Sequence, residues 1–173
     1  LVPISGSFVY DLSQLTDYFS QRSGGAYEFA EALIKGGFPL QAIVLGRRLQ
    51  REEGRWNLRL LRIVHPFPHR DIIVREAGDH GLDPFFVAGL IRQESAYDTR
   101  IKSSSGAVGL MQLMPPTARE VAGNLGLTYS PEALTDAVTN LRLGITYLAS
   151  MVLRFTGKPA DVLSAYNAGP SRM

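Results

Sequence analysis

Glu94 stands within Arg92-Gln93-Glu94-Ser95-Ala96-Tyr97, which is followed by Ser103 and by Gly109-Leu110-Met111-Gln112-Leu113-Met114-Pro115. A carboxyl group in that setting is suited to give a proton to a leaving group. Counting back from Glu94 at about 100° per residue, Val87 and Leu90 lie within roughly 40° of it on a helix, and Ile91 and Phe86 within roughly 60–80°. Phe85 and Arg92 point the other way. Glu94 thus falls in the middle of an apolar stripe, near the helix end where the dipole is negative. Burial and dipole both disfavour the ionised form and push the pKa up. A cation from Arg100 or Arg119 would do the opposite, and a structural ion pair is the competing reading.

Around Glu94, the stretch 109–115 is unusual for a loop, because Leu110, Met111, Leu113 and Met114 surround a single Gln112. It reads either as a buried connector or as a cleft wall, with flexible thioethers facing a ligand and an amide to hydrogen-bond it. Ser103 belongs to Ser103-Ser104-Ser105-Gly106, a turn without the spacing of a phosphate loop. Tyr166 follows Val162 and Leu163 by about one helical turn, so its ring faces inward, and a backbone partner for its hydroxyl is the plain expectation. Asn167 and Gly169 tolerate a left-handed exit from that helix.

Other chemistries find no support. His65, His69 and His80 lack zinc-binding spacing, and neither a Gly-x-Ser-x-Gly elbow nor a dinucleotide fingerprint occurs. With no cysteine in 173 residues, disulfides and cysteine-based metal sites are excluded. No metal and no cofactor is expected. The net charge of +2 is too small to indicate nucleic acid. Residues 1–70 carry 9 basic and 6 acidic groups and residues 71–173 carry 9 and 10. The basic excess, concentrated between Arg47 and Arg62, reads as a solvated helix face or a weak attraction to an anionic polymer. No apolar run approaches the ~18 residues of a membrane span. Beginning at Leu1 without a leader pattern, the chain reads as a mature or excised piece.

The elements that must position these residues are helices. Before residue 65 the pattern predicts helices at 11–21, 27–35, 39–50 and 55–64, separated by Gly24-Gly25 and Gly36-Gly37 in the manner of αα-hairpins. His65-Pro66-Phe67-Pro68-His69 is the best boundary, since prolines force extended backbone. A helix at 71–78 follows. Asp83 and Pro84 then supply the cap and first residue of the Glu94 helix. A loop spans 102–109, and a short hairpin around 100–113 fits the pattern too. Pro115-Pro116 opens a helix ending near Leu125-Gly126. Leu141, Ile145, Leu148, Val152 and Phe155 recur at spacings of 4, 3, 4 and 3, the mark of a core helix that Gly157 stops. A last helix runs over 159–168.

From about Arg70 onward the chain resembles the soluble lytic murein transglycosylase family of bacteria, relatives of goose-type lysozyme. The resemblance rests on Arg92-Gln93-Glu94-Ser95, Lys102-Ser103, Gly106, 109–115, Thr117-Ala118, Asn140-Leu141, Gly144, Tyr147-Leu148 and Ala165-Tyr166-Asn167-Ala168-Gly169-Pro170. It implies an all-α, lysozyme-like catalytic domain over 66–173, C-terminally incomplete against the family pattern. Residues 1–65 would be the end of a helical solenoid and its linker, a less specific match. It implies action on peptidoglycan glycan strands, at the β-1,4 link between N-acetylmuramic acid and N-acetylglucosamine, in the periplasm or cell envelope. Glu94 aligns with the catalytic acid, and Ser103, Gln112, Met114, Tyr166 and Asn167 with positions that line the cleft or support the substrate.

Ordinary glycosidases use two carboxylates, about 5–5.5 Å apart for retention and about 6.5–9.5 Å for inversion. Here the motif offers one, with Asp98 four residues on and past the expected helix end. One suffices if the sugar's 6-hydroxyl attacks C1 and closes a 1,6-anhydro ring, Glu94 serving as acid and then base. A water-using hydrolase and a non-catalytic murein-binding or scaffold module are the alternatives.

Overall fold

A computed structural model describes residues 25–155 and 158–168; the helix expected at 11–21 and the stop at Gly157 lie outside them. The chain divides into two compact units, with the boundary between Pro66 and Phe67.

In the first unit, α1 (Gly25–Lys35), α2 (Pro39–Glu53) and α3 (Leu58–Val64) pack on one another. Gly37 at φ 82° turns the chain between α1 and α2, and Pro39 starts α2 where its missing N–H costs nothing. Their buried faces meet at Ala30, Ala42, Leu45, Leu49, Leu60 and Ile63. A Cβ on Gly46 would come within 2.7 Å of Ile63, so α2 and α3 are in backbone-close contact there. Where residues 55–64 were expected as helix, α3 begins only at Leu58. The reason is Asn57, whose side chain accepts the Leu60 N–H at 2.8 Å and caps the first turn. The basic run is largely used at home. Arg59 pairs with Glu28 and Glu31 at 2.6 Å, Arg48 with Glu52, and Arg47 covers Trp56. These are exposed contacts worth little individually, and they fit the solvated-face reading.

The second unit consists of α4 (Arg70–Asp79), α5 (Pro84–Ser95), α6 (Pro115–Asn124), a 3-10 turn (Pro131–Thr135), α7 (Ala137–Arg154) and α8 (Pro159–Ala168). The predicted core helix is α7. It contacts α4, α6, α8 and the 3-10 turn, and its Leu141, Ile145 and Leu148 are wholly buried. Asp136 starts it by accepting from both the backbone and the hydroxyl of Thr139, which holds its carboxyl below the usual range. Among the described residues no strand forms. The expected hairpin is reduced to two isolated bridges, Lys102 with Val108 and Val108 with Leu113. No described helix is long and apolar enough to cross a membrane.

Candidate active site

Asp83 accepts the Phe85 N–H at 2.8 Å and Pro84 occupies the first turn, so α5 starts where its chemistry dictates. Its end is set by two consecutive left-handed residues without the freedom of glycine, Ala96 (φ 47°) and Tyr97 (φ 67°). Ser95 and Tyr97 hold that end in place. The Ser95 hydroxyl sits 3.1 Å from the Ile91 carbonyl and 2.8 Å from that of Leu110, and it accepts the Tyr97 N–H at 3.0 Å. Tyr97 is buried and donates to the Ala88 carbonyl at 2.9 Å. Burial pushes its phenol up to about 12 despite Arg92 nearby. The last turn of α5 is thereby tied both to its own helix and to the loop that follows.

Glu94 emerges from this fixed turn half-buried, above Val87, Leu90 and Ile91, which are all buried. Desolvation raises its pKa from the ordinary 4.5. Among the described residues no cation pairs with it. Arg119 lies over the Tyr129 ring, and neither it nor Arg100 is within salt-bridge distance of Glu94. The competing ion pair therefore does not form with either candidate. Asp98, exposed, accepts the Arg100 N–H at 2.8 Å and serves its own turn.

The stretch 109–115 divides between its two readings. Leu110, Met111 and Leu113 are buried as a connector would be, whereas Met114 is 39% exposed at the start of α6. Of the two thioethers, only that of Met114 is placed as a cleft wall requires. The loop is pinned by Asn140 of α7, itself 1% exposed. Asn140 accepts the Met111 N–H at 2.9 Å and donates to the carbonyls of Val108 and Leu134 at 3.0 and 2.8 Å. A Cβ on Gly109 (φ 79°) would lie 2.3 Å from the Asn140 amide, so no other residue fits there. One turn along α7, Gly144 leaves room for Met111, whose sulfur would be 2.4 Å from a Cβ.

Tyr166 of α8 closes the far side. Its hydroxyl donates to the Met111 carbonyl at 2.7 Å, the backbone partner expected of an inward tyrosine. Burial, then the charge of Glu94, then Tyr147 hold its phenol well above the usual range. Glu94 and Tyr166 are thus within electrostatic reach, joined structurally through the Met111 loop. The Tyr147 ring lies 5.4 Å from that of Tyr166.

The other predicted residues are less convergent. Gln112, at φ 46°, spends its amide N–H groups on the carbonyls of Gly109 and Ile101, at 3.0 and 3.3 Å. Its carbonyl oxygen accepts nothing among the described residues. The Ser103 oxygen accepts the Ala107 N–H at 3.0 Å, closing the 103–107 turn. Asn167 is exposed, donates to the Leu163 carbonyl, and lines a groove of about 370 Å³ with Phe85, Phe86, Leu90 and Gln93. Glu94 does not line that groove. Asn140, Gly144 and Tyr147 had no assigned role in the sequence reading. Their spacing of 4 and 3 on α7 is the signal that places them on one face.

This half-buried acid, buttressed by three segments, can be compared with known proteins. The transglycosylase SLT domain family matches residues 71–173. The chain belongs to that family. The soluble lytic murein transglycosylase of Escherichia coli K12 is 34% identical over 110 residues, which are 62% of this chain and 17% of that protein. The transglycosylase of Enterobacteria phage PRD1 is 35% identical over 96 residues, 56% of this chain and 33% of that one. Among solved structures, an inactive glutamate-to-glutamine mutant of lytic transglycosylase Slt from Pseudomonas aeruginosa is 35% identical with a TM-score of 0.71, covering 83% of this chain and 22% of that one. The 70-kDa soluble lytic transglycosylase of E. coli gives the same TM-score and coverage at 27% identity. The architecture is the all-α, lysozyme-like one of SLT transglycosylases. The chain spans well under half the length of these relatives.

Proposed function

We propose that this SLT domain is a peptidoglycan lytic transglycosylase that cuts the β-1,4 bond between N-acetylmuramic acid and N-acetylglucosamine and leaves a 1,6-anhydro end. The observation that carries the reading is Glu94, half-buried on an apolar face with its pKa raised by desolvation and no described cation beside it. Such a group holds its proton closer to neutral pH than an ordinary glutamate, which a general acid requires. Family membership and the inactive glutamate-to-glutamine relative point the same way.

Glu94 gives its proton to the glycosidic oxygen, and the N-acetylglucosamine departs with a 4-hydroxyl. The muramoyl N-acetyl oxygen supports the cationic C1. Ionised Glu94 then takes the proton of the same sugar's 6-hydroxyl, whose oxygen bonds to C1, so no water is consumed and the acid is regenerated. Tyr166, its proton turned to Met111, presents the negative end of its phenol oxygen towards the developing positive charge. Ser103, Gln112 through its free carbonyl, Met114 and Asn167 are assigned to substrate contacts along the cleft. The reaction as written calls for no cofactor. In this reading residues 67–173 are the catalytic domain, the helices before them a solenoid end, and the site of action the periplasm or cell envelope.

Mass spectrometry of murein digested by the protein tests this directly. Muropeptides one water lighter than lysozyme products are expected, and hydrated reducing ends alone would make the domain a hydrolase.

A further inference from the structure

The chain holds four methionines and no cysteine, so thioethers are its only sulfur. Met111 is 0% exposed and Met151 5%, whereas Met114 is 39% exposed. The Met111 sulfur is also walled in by α7, where a Cβ on Gly144 would meet it at 2.4 Å. Met151 belongs to the core of the second unit, and Met173 lies outside the described residues. Met114 is the N-cap of α6, and its side chain caps nothing. The next two positions are Pro115 and Pro116, which have no N–H to give. The first N–H that α6 offers is therefore that of Thr117, and it has no acceptor among the described residues. A capping oxygen normally accepts from the second or third helical residue. At this helix only the third can donate, and a thioether is a weak acceptor for it.

We propose that Met114 is a redox modification site, at which a peroxide weakens the hold of the cleft on its substrate and a dithiol-dependent reductase restores it. The inference rests on the transglycosylase reading, which gives Met114 its place on the cleft wall. A sulfur lone pair attacks one peroxide oxygen, the O–O bond breaks, an S–O bond forms, and water leaves. Sulfur is oxidised and the peroxide reduced. In the return step a dithiol gives up its electrons and protons, leaving the thioether, a disulfide and water. Oxidation turns a flexible apolar side chain into a polar one. The sulfoxide oxygen carries the negative end of its bond, and the Thr117 N–H and the positive end of the α6 dipole both draw it towards the helix start. A sugar ring that packs on the thioether would have to displace that contact or desolvate the sulfoxide. Met111 is spared by its burial, so the loop that carries the Tyr166 contact keeps its packing. The result is weaker substrate binding on an intact fold.

The test treats the protein with hydrogen peroxide in a Met173→Leu background, maps it by peptide mass spectrometry, and assays it on purified murein. Met114 should gain one oxygen while Met111 and Met151 gain none, and the Thr117 amide resonance should move. Turnover should fall by about tenfold, the scale of one unsatisfied polar contact. Binding of the Glu94→Gln protein to murein should weaken likewise. Methionine sulfoxide reductases A and B with a dithiol should restore both, the two enzymes being needed for the two sulfoxide epimers. In Met114→Leu the ratio of treated to untreated rate should stay near one, whatever the starting rate. Oxygen uptake at Met111 or Met151 as fast as at Met114, full turnover with Met114 oxidised, or the same loss in Met114→Leu overturns the proposal. Failure of the transglycosylase reading has a different signature: untreated protein forms no anhydro ends, while the mass map and murein binding still decide the fate of Met114.

Discussion

Replacing Glu94 by glutamine keeps the shape of the side chain and removes its proton. Turnover should fall by about 10²–10⁴, the range general acid–base groups supply, measured as release of muropeptides from purified murein. The same substitution should change stability with pH in a defined direction. Glu94 titrates above its ordinary 4.5 in the folded chain because burial disfavours its charge. Below that value both folded and unfolded chains are protonated and the full stability is present. As pH rises the unfolded chain ionises first, and stability is lost until the folded group ionises too. Glutamine has no such loss. Melting temperatures of the two proteins should therefore draw together near pH 4 and separate in favour of the variant by pH 7, and a gap independent of pH would contradict the burial assigned to Glu94. Tyr166→Phe leaves the Met111 carbonyl without its donor. It should cost about 1–3 kcal/mol in denaturant unfolding and slow the reaction by about a hundredfold if the phenol oxygen faces the charged sugar.

At the scale of elements, the site depends on α7 although no residue of α7 was expected in it. Asn140→Ala removes one acceptor and two donors from a buried loop, and should cost about 3 kcal/mol or more in urea unfolding. Gly144→Ala drives a Cβ into Met111, with an expected cost of about 1–3 kcal/mol. It should also lower turnover, because Met111 carries the carbonyl that orients Tyr166. The helices were legible wherever the chain marks them chemically: Asp83-Pro84 at the start of α5, Pro115 at α6, and the apolar stripe of α7. Boundaries set by a single side chain were not. Asn57 moves the start of α3, and Ser130 caps a one-turn 3-10 segment too short to show any period. Glu94 could be found from periodicity because burial of a helix face is local in sequence. The work of Asn140 could not, since its partners lie up to 32 residues away and are backbone groups with no side-chain signature.

At the scale of the whole molecule, each unit carries its own apolar core. Ala30, Leu45 and Leu60 centre the first, and Ile91, Leu141 and Ile145 the second. A chain beginning at Phe67 should thus keep its helical circular dichroism and melt in one transition, and a featureless melt would show that the second core is incomplete alone. The left-handed pair Ala96–Tyr97 bears on how such a protein can be improved. Glycine at position 96 would relieve backbone strain of about 1–2 kcal/mol, while loosening the stop that holds the preceding carboxyl. A library screened for heat resistance would then enrich Ala96→Gly beside Glu94→Gln, and a library screened for lysis would discard both. Along one turn of helix, the two selections would pull the same chain towards opposite ends of its mutational neighbourhood.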